Sequence, residues 1–432
     1  MPRSWSLPGG PPSNSMRRDA REMLLSCRLK QMFLITPDVK GDRGLHPTCG
    51  CRLDLLLFIV FSAFPLSAFA NPPPGFEVVE VASGSKSHGA PRMNNCGEFV
   101  FYIGKFPNGD IHLHLYDNGL ITTLPEAPPP SGFGDINDYG DIAWEKEEPD
   151  GTRVVCMICD GQFECLGEGG FPRINNSCHL AWDLFDPITC ASESNIFYYN
   201  SKEIFQITSD GLSNQGPEIN DLDQITWTRF DFCPEPEIAD IMFYQDGLTT
   251  VLTGDQPFAQ IPSINNLGQV AWSDLSIGIE LWEDGETTVI APPASINPRL
   301  NNHGDVYFLR WHAFAGVWQS WIMLDGAYYR ITNDTDWNTD GDINDYGECA
   351  WRWSNWPEFD THGVRYMRRI RNGDVDFDGD SDLADYSAMP ACMTGPGDFD
   401  RLCDCRFLDM GHDRDVDLAD FALFQNSLTP PP

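Results

Sequence analysis

The chain of 432 residues carries 64 acidic against 28 basic side chains, a formal net charge of −36, which excludes nucleic acid and anionic membrane surfaces as partners because both need a basic patch. Hydrophobic residues at 41% with 12% aromatics rule out a wholly disordered chain, and the length allows two to four domains. The 38 Gly and 33 Pro, with no long helix-forming block, point to short strands joined by tight turns.

The first recognisable element is an address. Residues 1–50 show no periodicity, and an apolar run then extends from Leu55 to Phe64, with Arg52 before it and Ala68-Phe69-Ala70 after it. The run is shorter than the ~20 residues of a comfortable membrane span, and it ends in a small-x-small cleavage signature. Residues 1–70 are therefore read as a disordered preface plus a secretory signal peptide cut after Ala70. The mature chain is expected outside the cell or on its surface. Cleavage leaves 19 basic and 59 acidic residues and 11 cysteines. Disulfides are the default in an oxidising compartment, and the odd number leaves at least one thiol free or paired between molecules.

The middle of the chain repeats one phrase. Met93-Asn-Asn-Cys-Gly-Glu-Phe-Val-Phe is followed by Ile136-Asn-Asp-Tyr-Gly-Asp-Ile-Ala-Trp144, and the pattern returns from Ile174, Ile219, Ile264, Leu300 and Ile343. The spacings are 43, 38, 45, 45, 36 and 43 residues; such a period belongs to a propeller or solenoid built from one supersecondary unit. Asn-Asn/Asp-x-Gly is turn material, and the alternating stretch after it, such as Gln-Val-Ala-Trp272, is a strand. A second turn follows at Asp117-Asn-Gly, Asp160-Gly, Asp246-Gly, Asp284-Gly and Asp325-Gly. Four strands per repeat and no helix pattern make each unit a propeller blade. The strand Phe76-Glu-Val-Val-Glu-Val-Ala precedes the first phrase, and Val364–Ile370 at the end of the seventh has no partner of its own. Pairing the two removes both sheet edges, which gives an all-β, seven-bladed propeller of four-stranded blades over residues 75–371.

The order Ile207-Thr208 … Pro217-Glu-Ile-Asn-Asp … Ile-Thr-Trp227, and Ile331-Thr332 … Ile343-Asn-Asp-Tyr-Gly … Ala-Trp351, resembles TolB-like propeller repeats. The phrase is closer still to the Ile-Asn-x-x-Gly repeats of secreted bacterial proteins. The resemblance implies the fold over about 300 residues; such propellers host hydrolases, lyases, peptidases and plain binders.

Residues 372–432 hold 14 Asp, no Glu and three Arg. Asp374-Val-Asp376-Phe-Asp378-Gly379-Asp380-Ser-Asp382-Leu-Ala-Asp385 places carboxylates at loop positions 1, 3, 5, 9 and 12 with Gly at 6. That is the oxygen-rich spacing of a calcium loop. The expected ligands are Asp374, Asp376, Asp378, the Asp380 carbonyl, Asp382 and Asp385, with a helix leaving the loop. A second copy 35 residues on offers Asp409, Asp413, Asp415, Asp417 and Asp420, but Gly411 and Arg414 replace a ligand and the turn glycine. Two such loops at the chain end resemble a dockerin type I module, small, α-helical and EF-hand-like. The resemblance implies a domain over 372–432 that takes Ca2+ and docks onto a cohesin-type receptor or the cell-surface polysaccharide of such systems; structural calcium closing a small domain is the plainer reading. Cys392 is expected to pair with Cys403 or Cys405.

Chemistry inside the propeller is sparse. Cys156-Met-Ile-Cys159 runs along a strand, so the two cysteines point to opposite faces and fit zinc or redox work poorly; Cys156 instead lies across the Asp160-Gly161 turn from Cys165, a plausible cross-strand pair. His112 and His114 share a strand face without a nameable third ligand and read as surface histidines. No Gly-x-Ser-x-Gly, His-Glu-x-x-His or phosphate loop occurs. Asp138, Asp221 and Asp345 recur inside turns, where capping accounts for them. Trp144, Trp182, Trp227, Trp272 and Trp351 are expected to pack between blades, with sugar stacking as the sharper alternative. The preferred reading is a secreted, non-enzymatic protein that binds or displays. The alternative is a polysaccharide-active hydrolase or lyase with its site in the propeller channel.

Overall fold

The repeated phrase folds as its residues dictate. The computed structural model describes residues 72–105, 110–186, 193–231, 238–254, 259–370, 373–376, 381–393, 403–411 and 415–428, and in it each phrase is a tight turn between two antiparallel strands. The fifth repeat is representative: Ala259–Ile264, Val270–Asp274, Gly278–Glu283 and Glu286–Ala291 pair in that order. Gly268 closes the phrase turn at φ +77°, and Asp284-Gly285 closes the outer hairpin with both residues at positive φ, the type I′ arrangement that matches strand twist. The second strand is buried throughout, whereas the fourth is exposed from Glu286 to Val289.

The described strands form five four-stranded sheets and one of eight. The eight-stranded sheet consists of two such quartets joined through a single parallel bridge between Ser194 and Ser213. The N-terminal strand Phe76–Gly84 pairs antiparallel with His362–Arg369, so one sheet holds both ends of the repeat array and the last strand is covered on both sides.

Each first strand carries a register shift just ahead of its phrase, as between Gly89 and Arg92, Gly170 and Arg173, Gln215 and Glu218, or Gln260 and Ser263. Ala90, Phe171, Gly216, Ile261, Asn297 and Asp340 occupy these bulges at positive φ. A β-branched residue such as Ile261 resists φ +58°; its N–H is held by Thr228 Oγ1 of the preceding quartet at 3.1 Å. Gly216 N is held in the same way by Asp183, and Asn297 N by Ser273, both at 3.0 Å. The bulge re-aims the residue that precedes the phrase.

The core lies between successive sheets. Trp272 packs with Ile241 and Phe243 of the preceding quartet and with its own Ile264 and Val270. Trp144, Trp182, Trp227, Trp272 and Trp351 are at most 1% exposed, which removes the sugar-stacking alternative for these five: no indole face reaches solvent. Cys156 is bonded to Cys165 and Cys159 to Cys178, and the free thiol among the described residues is the buried Cys349.

The C-terminal segment adds helices α1 (Leu383–Tyr386), α2 (Met389–Cys392) and α3 (Leu418–Ser427), with a 3₁₀ turn at Cys403–Phe407. They enclose a small core of Met389, Cys392, Cys405, Leu408, Val416 and Phe424, stapled by the Cys392–Cys405 disulfide. Among the described residues no helix is long and apolar enough to cross a membrane. The preface, the signal peptide and Asp378, Asp380 and Asp413 lie outside the described residues.

Candidate functional site

The seven phrase turns meet around one axis and build a mouth in layers. The first asparagine of each turn donates from Nδ2 to the backbone carbonyl of the next: Asn94 to Asn137 O at 3.0 Å. The contact continues through Asn175, Asn220, Asn265 and Asn301 to Asn344 and returns to Asn94, at 2.8–3.3 Å. The ring closes on itself.

The next residue in each turn makes a second ring. Asn95, Asp138, Asn176, Asp221, Asn266, Asn302 and Asp345 each donate the backbone N–H to the side-chain Oδ1 of the following member at 2.7–2.9 Å. The carboxylates of Asp138, Asp221 and Asp345, each from a different quartet, accept a further pair of bonds on Oδ2 from the flanking asparagine amides at 2.7–3.1 Å. These aspartates were expected to cap their own turns; instead each caps the turn of a neighbouring repeat. Burial, helped by the other two carboxylates, raises the Asp138 carboxyl above its ordinary range in spite of bonds from Asn95 and Asn176. The rings rim a cup of about 160 Å³ whose wall continues through Met93, Ile136, Ile174, Ile219, Ile264, Leu300 and Ile343.

One residue earlier on each bulged strand lies a charged belt: Arg92, Asp135, Arg173, Glu218, Ser263, Arg299 and Asp342. Glu218 meets Arg92 at 3.2 Å and both Arg173 and Arg299 at 3.0 Å, so arginines from three other quartets converge on one carboxylate. The described belt ion pairs join side chains only 9–16% exposed. Burial works against the Glu218 carboxylate, yet Arg173, Arg299 and Arg92 together hold it down to about 2. Burial wins at Asp135, which rises to about 6 despite Arg173 and Arg92, and at Arg299, lowered to about 10 by burial and then by Arg92. Sequence reasoning missed this belt. Its signal is the residue just before each phrase, which alternates in charge from one repeat to the next.

In the C-terminal segment the carboxylates of Asp374, Asp376 and Asp385 come within 4.8 Å of one another, as do those of Asp415, Asp417 and Asp420. Both groups are built alike. Buried Asp385 accepts from Asp376 N at 3.2 Å and Asp382 N at 2.8 Å, and Asp420 accepts from Gly411 N at 2.8 Å and Asp417 N at 2.9 Å. Asp382 and Asp417 cap α1 and α3 in capping boxes, so each loop and its exit helix share one carboxylate. Three hard oxygen donors per group suit Ca2+. Asp409, placed by spacing at the head of the second loop, stands apart from its group: its Oδ2 accepts from Asn118 Nδ2 at 2.8 Å. Asp141 lies by Cys159 and Cys178, but the disulfide takes both sulfurs out of metal binding. His112 bonds Asp110 at 3.0 Å and His114 bonds Thr123 at 3.2 Å, two separate partners.

No protein-family model matches this chain, and no curated protein matches it. Among solved structures it is similar to the β-propeller domain of the Trilobed protease from Pyrococcus furiosus, at 12% identity and TM-score 0.51 over 66% of this chain and 97% of that one. It is also similar to the acylaminoacyl peptidase of Pyrococcus horikoshii, at 13% identity and TM-score 0.45 over 62% of this chain and 49% of that one. TolB from Acinetobacter baumannii follows at 12% identity and TM-score 0.37, over 56% and 62%. The likeness to the first of these, together with the sheets described above, makes the fold a β-propeller. The protease propeller is described as having an open velcro topology, whereas here the first and last strands pair.

Proposed function

We propose that the mature chain is a secreted, non-enzymatic seven-bladed propeller that binds or displays, followed by a calcium-binding C-terminal module. Counting each half of the eight-stranded sheet as one blade gives seven quartets, in step with the seven phrase turns. The observation that carries the binder reading is the use made of the recurrent carboxylates. Asp138, Asp221 and Asp345 do converge from three repeats, but their oxygens are occupied by neighbouring amides and N–H groups. A general acid or nucleophile needs an oxygen free to reach substrate. The charged belt below them spends its arginines on Glu218. Disulfides fit the secreted reading.

In the module, Asp374, Asp376 and Asp385 would hold one Ca2+, and Asp415, Asp417 and Asp420 a second. The ion would supply the positive charge that lets three carboxylates share one small volume. Two measurements on residues 71–432 test the proposal. Glycan arrays run beside a reducing-sugar release assay should give binding without turnover, and turnover would reject the binder reading in favour of a hydrolase or lyase. Calorimetric titration with Ca2+ should give one or two sites that Asp385→Asn and Asp420→Asn remove separately.

A further inference from the structure

We infer that the docking partner of the C-terminal module is the propeller of its own chain, and that calcium held by the module is read out as stability of ring closure. The second half of this inference rests on the calcium reading above.

Residues 405–409 divide their side chains between two bodies. Cys405 and Leu408 belong to the core of the module. Arg406, Phe407 and Asp409 face the rim of the propeller. The Arg406 guanidinium is 8% exposed and meets Glu348 Oε2 at 2.7 Å. It also lies 4.9 Å from the Tyr346 ring centroid and 4.5 Å from that of Phe407, and those two rings contact each other edge to face at 4.9 Å. Glu348 is no incidental partner. Its Oε2 also accepts from Asn344 Nδ2 at 2.9 Å and Tyr366 Oη at 2.8 Å, and its Oε1 accepts from Arg369 N at 3.0 Å. Arg406 is therefore one bond away from the asparagine ring. Burial pushes the Glu348 carboxyl up, but Arg406 and these bonds hold it below its ordinary range.

The rim is shaped for the guanidinium. Gly97 sits at φ +74°, and a Cβ there would fall 1.9 Å from an Arg406 nitrogen. Gly97 and Asn118 belong to the turns of the first sheet, while Tyr346, Glu348, Tyr366 and Arg369 belong to the closing sheet. The module thus spans the joint where the two ends of the ring meet. The second acidic loop begins at Asp409, whose carboxylate is the one held by Asn118, so the segment that touches the rim leads directly into the loop that would hold the ion.

The twelve tryptophans after residue 71 all lie between Trp144 and Trp356, none in the module, so tryptophan fluorescence reports on the propeller alone. The experiment is thermal unfolding of residues 71–432 followed by that signal, with and without saturating Ca2+, beside calorimetric Ca2+ binding. Calcium should raise the fluorescence midpoint by about 4 °C or more. Arg406→Ala and the half-buried turn variant Asn118→Ala should keep Ca2+ uptake and lose most of the shift; Asp420→Asn should lose both. If Arg406→Ala does not fold, Arg406→Lys replaces it, since lysine keeps the charge but not the planar stacking. Calcium uptake that leaves the wild-type midpoint unmoved overturns the coupling while sparing the calcium reading, and so does an undiminished shift in Asn118→Ala and the Arg406 variant. Absence of any uptake overturns both, and the calorimetry identifies that case.

Discussion

A primary amide has two N–H donors and an oxygen with two lone pairs, and Asn265 uses all four. Its Nδ2 donates to Gln269 Oε1 at 2.7 Å and to Asn301 O at 2.9 Å, and its Oδ1 accepts from Leu267 N at 3.1 Å and Gln269 N at 3.0 Å. Replacing it by alanine leaves several buried polar groups unpaired, and Asn265→Ala is expected to cost about 3 kcal/mol or more. The near-isosteric Asn265→Asp is expected to be no better, because a carboxylate would face the Asn301 carbonyl; urea midpoints of the two variants check the order. The turn itself was legible in the sequence, since Asn and Gly at fixed offsets specify it locally. The bond to the next repeat was not, because a phrase read alone says nothing about what lies beside it. Asn175 shows how the pattern survives a change: with His179 where the other repeats carry an acid or amide, Asp223 of the next repeat takes up the Asn175 amide at 3.0 Å.

The strand after each turn was read from its alternation, and its tryptophan was assigned to the space between blades; both follow from periodicity and residue volume. What the indole nitrogen does was not readable, because its partner is set by the three-dimensional neighbour. Trp227 Nε1 donates to Asn214 Oδ1 at 2.7 Å and Trp351 Nε1 to Asn338 Oδ1 at 3.0 Å, each within its own sheet. Trp144 Nε1 has no hydrogen-bond partner among the described residues. Both Trp144→Phe and Trp227→Phe lose the same volume, but the second also strands the Asn214 carbonyl. Trp227→Phe should therefore be the more destabilising by about 1–2 kcal/mol, measured by chemical denaturation under one set of conditions. The bulges were equally hidden: Ile261 and Phe171 are ordinary strand residues by composition, and their positive φ goes with the register shift that aims the side chain two residues on into the belt. In the C-terminal segment the aspartate spacing anticipated the two carboxylate groups and a helix after each, but not the bond from Asn118 to Asp409, because spacing cannot see a residue so distant in the chain.

Around the whole molecule the two polar layers obey one rule. Acids occupy the second, fourth and seventh repeats in both, as Asp138, Asp221 and Asp345 in the rim and as Asp135, Glu218 and Asp342 in the belt. Donors occupy the first, third and sixth. A ring of seven admits at most three acids without two adjoining, and the fifth repeat carries none in either layer: Asn266 donates to Asp221 in the rim, as the other asparagines do, and Ser263 is uncharged in the belt. This matching makes one cyclic order of repeats better satisfied than any shifted one. It also sets the pH response. A carboxyl whose folded value lies below the unfolded one stabilises above the unfolded value, and this stability is lost as pH falls; Glu218 supplies such a term between its ordinary 4.5 and about 2. Asp135 has the opposite sign. Its folded value of about 6 lies above 3.8, so the folded chain holds the proton more tightly and stability falls as pH rises through that window. The shift corresponds to about 3 kcal/mol. Asp135→Asn cannot ionise, so its stability relative to wild type should climb by about that amount between pH 4 and pH 7, read from denaturant midpoints across the range. A constant offset between the two proteins would mean that folding does not raise the Asp135 carboxyl and that the belt arginines offset its burial.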